Sequence, residues 1–223
     1  MRARDEKYQW DEAPGPAGLP DDVIVSPDTQ RDERLPPRQV RTRKWPVLDA
    51  SGTPEFSPEQ WTLEVFGLVA HPQRWTLEQF RALPRVKVFA DFHCVTRWSR
   101  LGNLWEGVSA RFLVDQAGVL DGARFVILHA CDRDWTTNLP LGDFLEADVL
   151  LADTHDGQPI SAAHGGPVRA VVPRLYAWKS AKWIRAIELA AEDRSGYWER
   201  AGYHDRGDPW TESRFREPRQ VRR

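Results

Sequence analysis

Four short runs rich in β-branched and aromatic residues limit what this chain can fold into: "RVKVFADFHC" (85–94), "ARFVILHACD" (123–132), "VRAVVP" (168–173) and "WIRAIELA" (183–190). Their length, their content of Val, Ile and Phe, and the polar or proline residues that close them read as buried strands. Two more strands are expected: "WTLEVFG" (61–67) alternates apolar and polar residues up to Gly67, and "DVLLADTHDG" runs into a turn. The helices between them are short. "TLEQFRALP" places Thr76 and Gln79 at capping-box spacing and is closed by Pro84. "SARFLVDQAG" (109–118) has Ser109 as its cap and Gly118 as its stop, and "LGDFLEA" forms one short helix. Strands and helices do not alternate as βαβ units, so the expected class is α+β, β-rich with short helices.

A chain of 223 residues suits one compact core with extensions. Residues 1–37 are expected to form an extended arm, because residues 1–40 hold six of the seventeen prolines, nine acidic and six basic residues and few apolar ones; Tyr8 and Trp10 are its candidate anchors. The main domain is placed at 38–216. Its end, 195–216, loses periodicity but keeps Tyr197, Trp198, Tyr203, Trp210 and Phe215, which predicts an ordered strap; residues 217–223 are expected to fray. The formal net charge is −2. Arginines are interleaved with acids, so no basic stripe points to nucleic acid. No window approaches the roughly 20 apolar residues of a membrane span, and the first residues show no apolar leader, so a cytoplasmic protein is expected.

Candidate chemistry centres on Cys94, one of two cysteines and the last residue of the first run. Both Cys94 and Cys131 read as free thiols in a reducing compartment. Taken alone, Cys94 is at home as a small buried hydrophobe. His93 and Arg97 beside it would favour a thiolate, the form that attacks electrophiles and binds metals. No CxxC or HxxxH spacing supports zinc, but a single thiolate suits a softer metal whose remaining ligands come from a cofactor. A second constellation, "HGGPVRAVVPRLYAWKSAKW" (164–183), combines Gly165 and Gly166 with Arg169, Lys179, Ser180 and Lys182. Such donors can hold phosphate, although the spacing is not that of a P-loop and a solvated basic turn has the same composition. Asp132 and Asp134 fit a polar turn, His129 a satisfied core histidine, and His204 stays open. The eleven tryptophans suit either a planar-ligand pocket or ordinary packing.

In order along the chain, Trp45 to Leu48, His93 to Val108 ("HCVTRWSRLGNLWEGV"), Thr136 to Leu141 ("TTNLPL"), His164 to Arg169 ("HGGPVR"), Pro173 to Trp183 ("PRLYAWKSAKW") and Gly202 to Trp210 ("GYHDRGDPW") resemble the motifs of molybdopterin-dependent oxidoreductases of the sulfite oxidase superfamily. The resemblance spans roughly residues 38 to 216 and is greatest to the small bacterial sulfite oxidase-like branch, related to the methionine sulfoxide reductase catalytic subunit. It implies a β-rich, mixed-sheet molybdopterin-binding domain of sulfite oxidase type. It implies molybdenum-molybdopterin as cofactor, with Cys94 as the protein ligand of the metal. Arg43, Trp45, Pro46, His93, Ala130, His164, Arg169, Tyr176, Ser180, Ala181 and Lys182 fall on cofactor-contacting motif positions, with Ala130 where the reductase has a threonine and His164 where it has an asparagine. Arg97 is the candidate anion-steering group. The implied activity is oxygen-atom transfer between Mo(VI) and Mo(IV) on a small sulfur- or nitrogen-oxide substrate, with electrons exchanged through a separate partner. The competing readings are a catalytically silent molybdopterin-binding module and a cofactor-free cysteine enzyme.

Overall fold

A computed structural model of the chain describes residues 14–50, 52–55, 57–132 and 134–216. The expected anchors Tyr8 and Trp10, and the tail 217–223, lie outside the described residues. Along the chain run β1 (Val23–Val25), β2 (Val40–Arg41), β3 (Thr62–Gly67), β4 (Gln73–Thr76), α1 (Leu77–Arg81), β5 (Val86–His93), β6 (Trp98–Ser109), α2 (Ala110–Ala117) and β7 (Phe125–Ala130). They are followed by β8 (Thr136–Pro140), α3 (Leu141–Phe144), β9 (Leu150–His155), β10 (Gln158–Pro159), β11 (Arg169–Val171), β12 (Ile184–Ala190) and α4 (Tyr197–Arg200). All six strands read from the sequence are present, and the class is α+β with mixed sheets. Thr76 caps α1 as its spacing requires, with the reciprocal Gln79 bond in place. Ser109 precedes α2 but makes no side-chain cap bond; Gly118 ends that helix at φ +67°.

The strands form two sheets. One has the order β1-β5-β6-β9-β10, with β11 also paired to β9 and β2 to β6; the other has the order β4-β3-β12-β7-β8. The pairs β1/β5, β2/β6 and β3/β12 are parallel and the others antiparallel. A main core joins them: Leu63 and Val65 of β3, Leu113 and Val114 of α2, Val126 and Leu128 of β7, Leu151 of β9 and Ile187 of β12 are fully buried. Each such side chain contributes roughly 1.5–3 kcal/mol by leaving water. A smaller cluster, with Phe92, Trp105, Leu150 and Val171, covers the other side of the first sheet. β6 pairs closely with β9 because Gly107 has no side chain; a Cβ there would stand 1.9 Å from the Leu151 carbonyl oxygen. The segment expected to be an extended arm contributes β1 to the sheet and buries Ser26, Asp28 and Thr29.

Candidate functional site

β5 carries Phe92 and Cys94 to one side and His93 to the other, as strand alternation requires. Cys94 is the first residue past the strand and opens a tight turn into β6. Its N–H donates to the Trp98 carbonyl at 2.8 Å and its carbonyl accepts from the Arg97 N–H at 3.0 Å, with Arg97 held at φ +73°. The thiol is 7% exposed, faces a cavity and lies 3.1 Å from Thr96 Oγ1. Burial pushes the thiol pKa up, opposed by hydrogen bonds from the Thr96 region and by the charge of Arg214. His93 is fully buried, with Nδ1 2.8 Å from Ser99 Oγ and Nε2 without a partner; burial lowers its pKa to about 4. A neutral imidazole on the far side of the strand is not a base for the thiol.

The glycine-rich basic stretch wraps the other end of the cavity. Gly165 adopts φ +101°, and a Cβ on it would meet Lys182 Cβ at 2.8 Å, while one on Gly166 would stand 2.1 Å from the Ile160 carbonyl oxygen. The two glycines therefore serve both positive φ and close approach. This packing lets β11 deliver Arg169 into the interior at 2% exposure. Its guanidinium donates to the carbonyls of His164 (2.8 Å), Ser180 (2.9 Å) and Ala170 (3.3 Å). It lies 5.3 to 5.8 Å from the ring centroids of Phe92, Trp45 and Trp105. The described residues offer it no carboxylate, and burial lowers its pKa to about 9. Lys182 donates to the Ala163 carbonyl at 2.9 Å and stands 3.8 Å from Asp49; burial, then the charge of Arg169, lower its pKa to about 8.

Cys94, Arg169, Ser180 and Lys182 share one cavity of about 240 Å³. Trp45, Trp98, Trp135, Trp178, Trp183 and Trp198 line it together with Phe92 and Tyr203. Trp45, Pro46 and Ala130 belong to the same wall. His164 supports it from behind, stacked on Trp45 at 3.9 Å with Nε2 3.0 Å from the Trp45 carbonyl. Tyr176 and Ala181 are buried next to the wall without forming it, and the exposed Arg97 and Arg43 also lie outside the lining. Arg97 holds the tight turn in left-handed backbone while its side chain is exposed. Asp132 lines the cavity, whereas Asp134 belongs to a separate surface recess with His129, which lies 2.9 Å from Glu188. His204 accepts from the Arg206 and Gly207 N–H groups and is absent from the lining. Cys131 is a free thiol outside the cavity. Sequence reasoning missed Thr96, Trp178, Trp198 and Tyr203 as wall residues; for Trp198 and Tyr203 the aromatic spacing of 195–216 was the available signal.

The donor set is chemically coherent. A soft sulfur, a buried guanidinium and a half-buried ammonium share the cavity with flat aromatic walls, which suits an anionic, planar group carrying a thiophilic metal. The family model for the oxidoreductase molybdopterin binding domain matches residues 50–198. The uncharacterized oxidoreductase YuiH of Bacillus subtilis is 50% identical over 183 residues, which are 82% of this chain and 92% of that protein. The chain belongs to the molybdopterin-binding oxidoreductase family. Sulfite oxidase of Arabidopsis thaliana is a more distant relative of this molybdopterin domain, 26% identical over 65% of the chain and 46% of that enzyme. The sulfane dehydrogenase SoxCD from Paracoccus pantotrophus shares the fold, with a TM-score of 0.59 at 24% identity over 64% of this chain and 41% of that one. The chain is thus a molybdopterin-binding oxidoreductase related to sulfite oxidase, and membership implies the molybdenum-molybdopterin cofactor.

Proposed function

We propose that this oxidoreductase transfers an oxygen atom to or from a small sulfur- or nitrogen-oxide substrate, with Cys94 as the protein ligand of molybdenum. The observation that carries the reading is the pairing, in one cavity, of a buried thiol with a buried guanidinium that no acid among the described residues neutralises. Arg169 and Lys182 would hold the anionic side of the pterin, and Trp45 and Pro46 would close over it. Ser180 keeps the loop in place, since its Oγ accepts from the Val172 N–H at 3.0 Å while its carbonyl receives Arg169. When bound, the cofactor supplies two-electron chemistry between Mo(VI) and Mo(IV). The protein's part is to orient it, to exclude water with the aromatic wall and to present Cys94 from a turn that strand pairing fixes. Two cysteines cannot supply the four thiolates of an iron–sulfur cluster, which supports a separate electron-transfer partner for this stretch of chain. Among the described residues no helix is long and apolar enough to cross a membrane.

Metal analysis with visible spectroscopy of wild type and Cys94→Ala tests the reading. Protein from a molybdenum-replete host is expected to contain molybdenum and pterin. Cys94→Ala is expected to keep pterin and lose the thiolate-to-metal absorption; wild type without molybdenum would sink the proposal.

A further inference from the structure

Cys94 and Val95 are held by side chains from two segments that lie outside the matched domain, one on each side of residues 50–198. From the N-terminal side, Gln39, 9% exposed, donates from Nε2 to the Cys94 carbonyl at 3.0 Å, and the Val40 and Thr42 N–H groups donate to the carbonyls of Arg97 and Ser99. From the C-terminal side, Arg214, 8% exposed, donates from Nη1 to the Val95 carbonyl. The two segments also grip each other, because Glu212 stands 3.3 Å from Arg38 and 3.6 Å from Arg214 Nε. The left-handed backbone of Arg38, Arg97 and Glu212 gathers at this point. Such conformations persist only where the surroundings over-determine them. Arg214 is also electrically exposed to the thiol. Its Nε and Nη2 find no hydrogen-bond acceptor, its guanidinium lies 4.9 Å from the Tyr176 ring centroid, and its charge acts on Cys94.

We propose that Gln39 and Arg214 are positioning residues that clasp the Cys94 loop from outside the matched domain, and that Arg214 is the fixed charge setting the reduction potential of the metal bound there. The inference rests on the reading of Cys94 as the metal ligand. Reduction adds negative charge to the site. A buried cation nearby therefore favours the reduced state, and the Glu212 carboxylate opposes it.

The test is a redox titration of the Mo(V) electron paramagnetic resonance signal in purified holoprotein, alongside molybdenum content and thiolate-to-metal absorption. Arg214→Met is expected to shift the Mo(V)/Mo(IV) equilibrium at least tenfold toward Mo(V), about 59 mV for one electron. Arg214→Lys is expected to stay within about threefold of wild type because the charge remains. Glu212→Gln is expected to shift the equilibrium the opposite way. Opposite signs from the two neutralising variants are a signature that mere loss of packing would not produce. Should Arg214→Met fail to fold, Glu212→Gln and Arg214→Lys still decide: no shift toward Mo(IV) in Glu212→Gln overturns the proposal. Equal potentials across all variants that keep molybdenum and the thiolate band overturn the role of the Arg214 charge and leave the Cys94 reading standing. Wild type lacking molybdenum overturns the Cys94 reading and the clasp with it.

Discussion

Arg169 and Lys182 show how one burial term makes a site. Arg169 is a cation removed from water and Lys182 one half removed: among the described residues Arg169 binds only carbonyls, and Lys182 has a single long ion pair, 3.8 Å to Asp49. An anion entering the cavity regains what desolvation cost them. Replacing Arg169 with Met removes charge-assisted bonds worth about 1.5–3 kcal/mol, so pterin affinity is expected to fall roughly ten- to hundredfold, read as molybdenum per protein. The pH dependence has a definite sign. Lys182 has a folded pKa of about 8, below its ordinary value of 10.5, so its buried charge costs stability below pH 8 and that cost is relieved as pH rises from 8 toward 10.5. A phosphate monoester binds the protonated amine. Its affinity is therefore expected to fall as pH rises above 8, by up to about tenfold per unit until the pKa of the complex is passed. Calorimetric titration of apoprotein checks this, and Lys182→Arg should flatten the curve.

The strap and the loop that carries Lys179 and Ser180 are joined as elements by one fully buried ion pair. Lys179 Nζ lies 2.5 Å from Glu199 Oε1 of α4 and also donates to the Asn138 carbonyl and Oδ1 of β8. The same carboxylate oxygen accepts from Thr137 Oγ1 and Trp178 Nε1, so it positions a wall residue of the cavity. Burial lowers the Lys179 pKa and Glu199 opposes that shift. Lys179→Met would leave a buried carboxylate unpaired and is expected to cost about 3–5 kcal/mol in urea unfolding. The double variant with Glu199→Gln should recover much of it, since the pair's net contribution is smaller than the penalty for breaking it. β6 is one of the elements that periodicity concealed. Its buried positions include Ser99, Asn103 and Gly107 beside Leu101 and Trp105, so polar and apolar residues share the inward face. Asn103 is satisfied there by the carbonyls of Ala90 and Arg100, a solution visible only once β5 lies alongside.

For the whole molecule, the matched domain does not enclose its own cavity. Tyr203 forms part of the wall and Arg214 reaches the Cys94 loop from beyond residue 198. A chain ended at residue 198 would also lack Glu199 and leave Lys179 buried without its acid. Such a truncated protein is expected to carry no molybdenum, by metal analysis, and to be strongly destabilised. Local sequence determined the six readable strands, the capping box at Thr76 and a thiol at a strand end, because each depends on residues within one or two turns of chain. Tertiary structure alone decided that Arg97 is exposed while Arg214 reaches the Val95 carbonyl from 119 positions away, that His93 lies neutral behind the strand, and that Arg169 is buried with no acid among the described residues beside it. Those outcomes depend on which distant segments share a volume, and on the dielectric they create together, which no periodicity encodes.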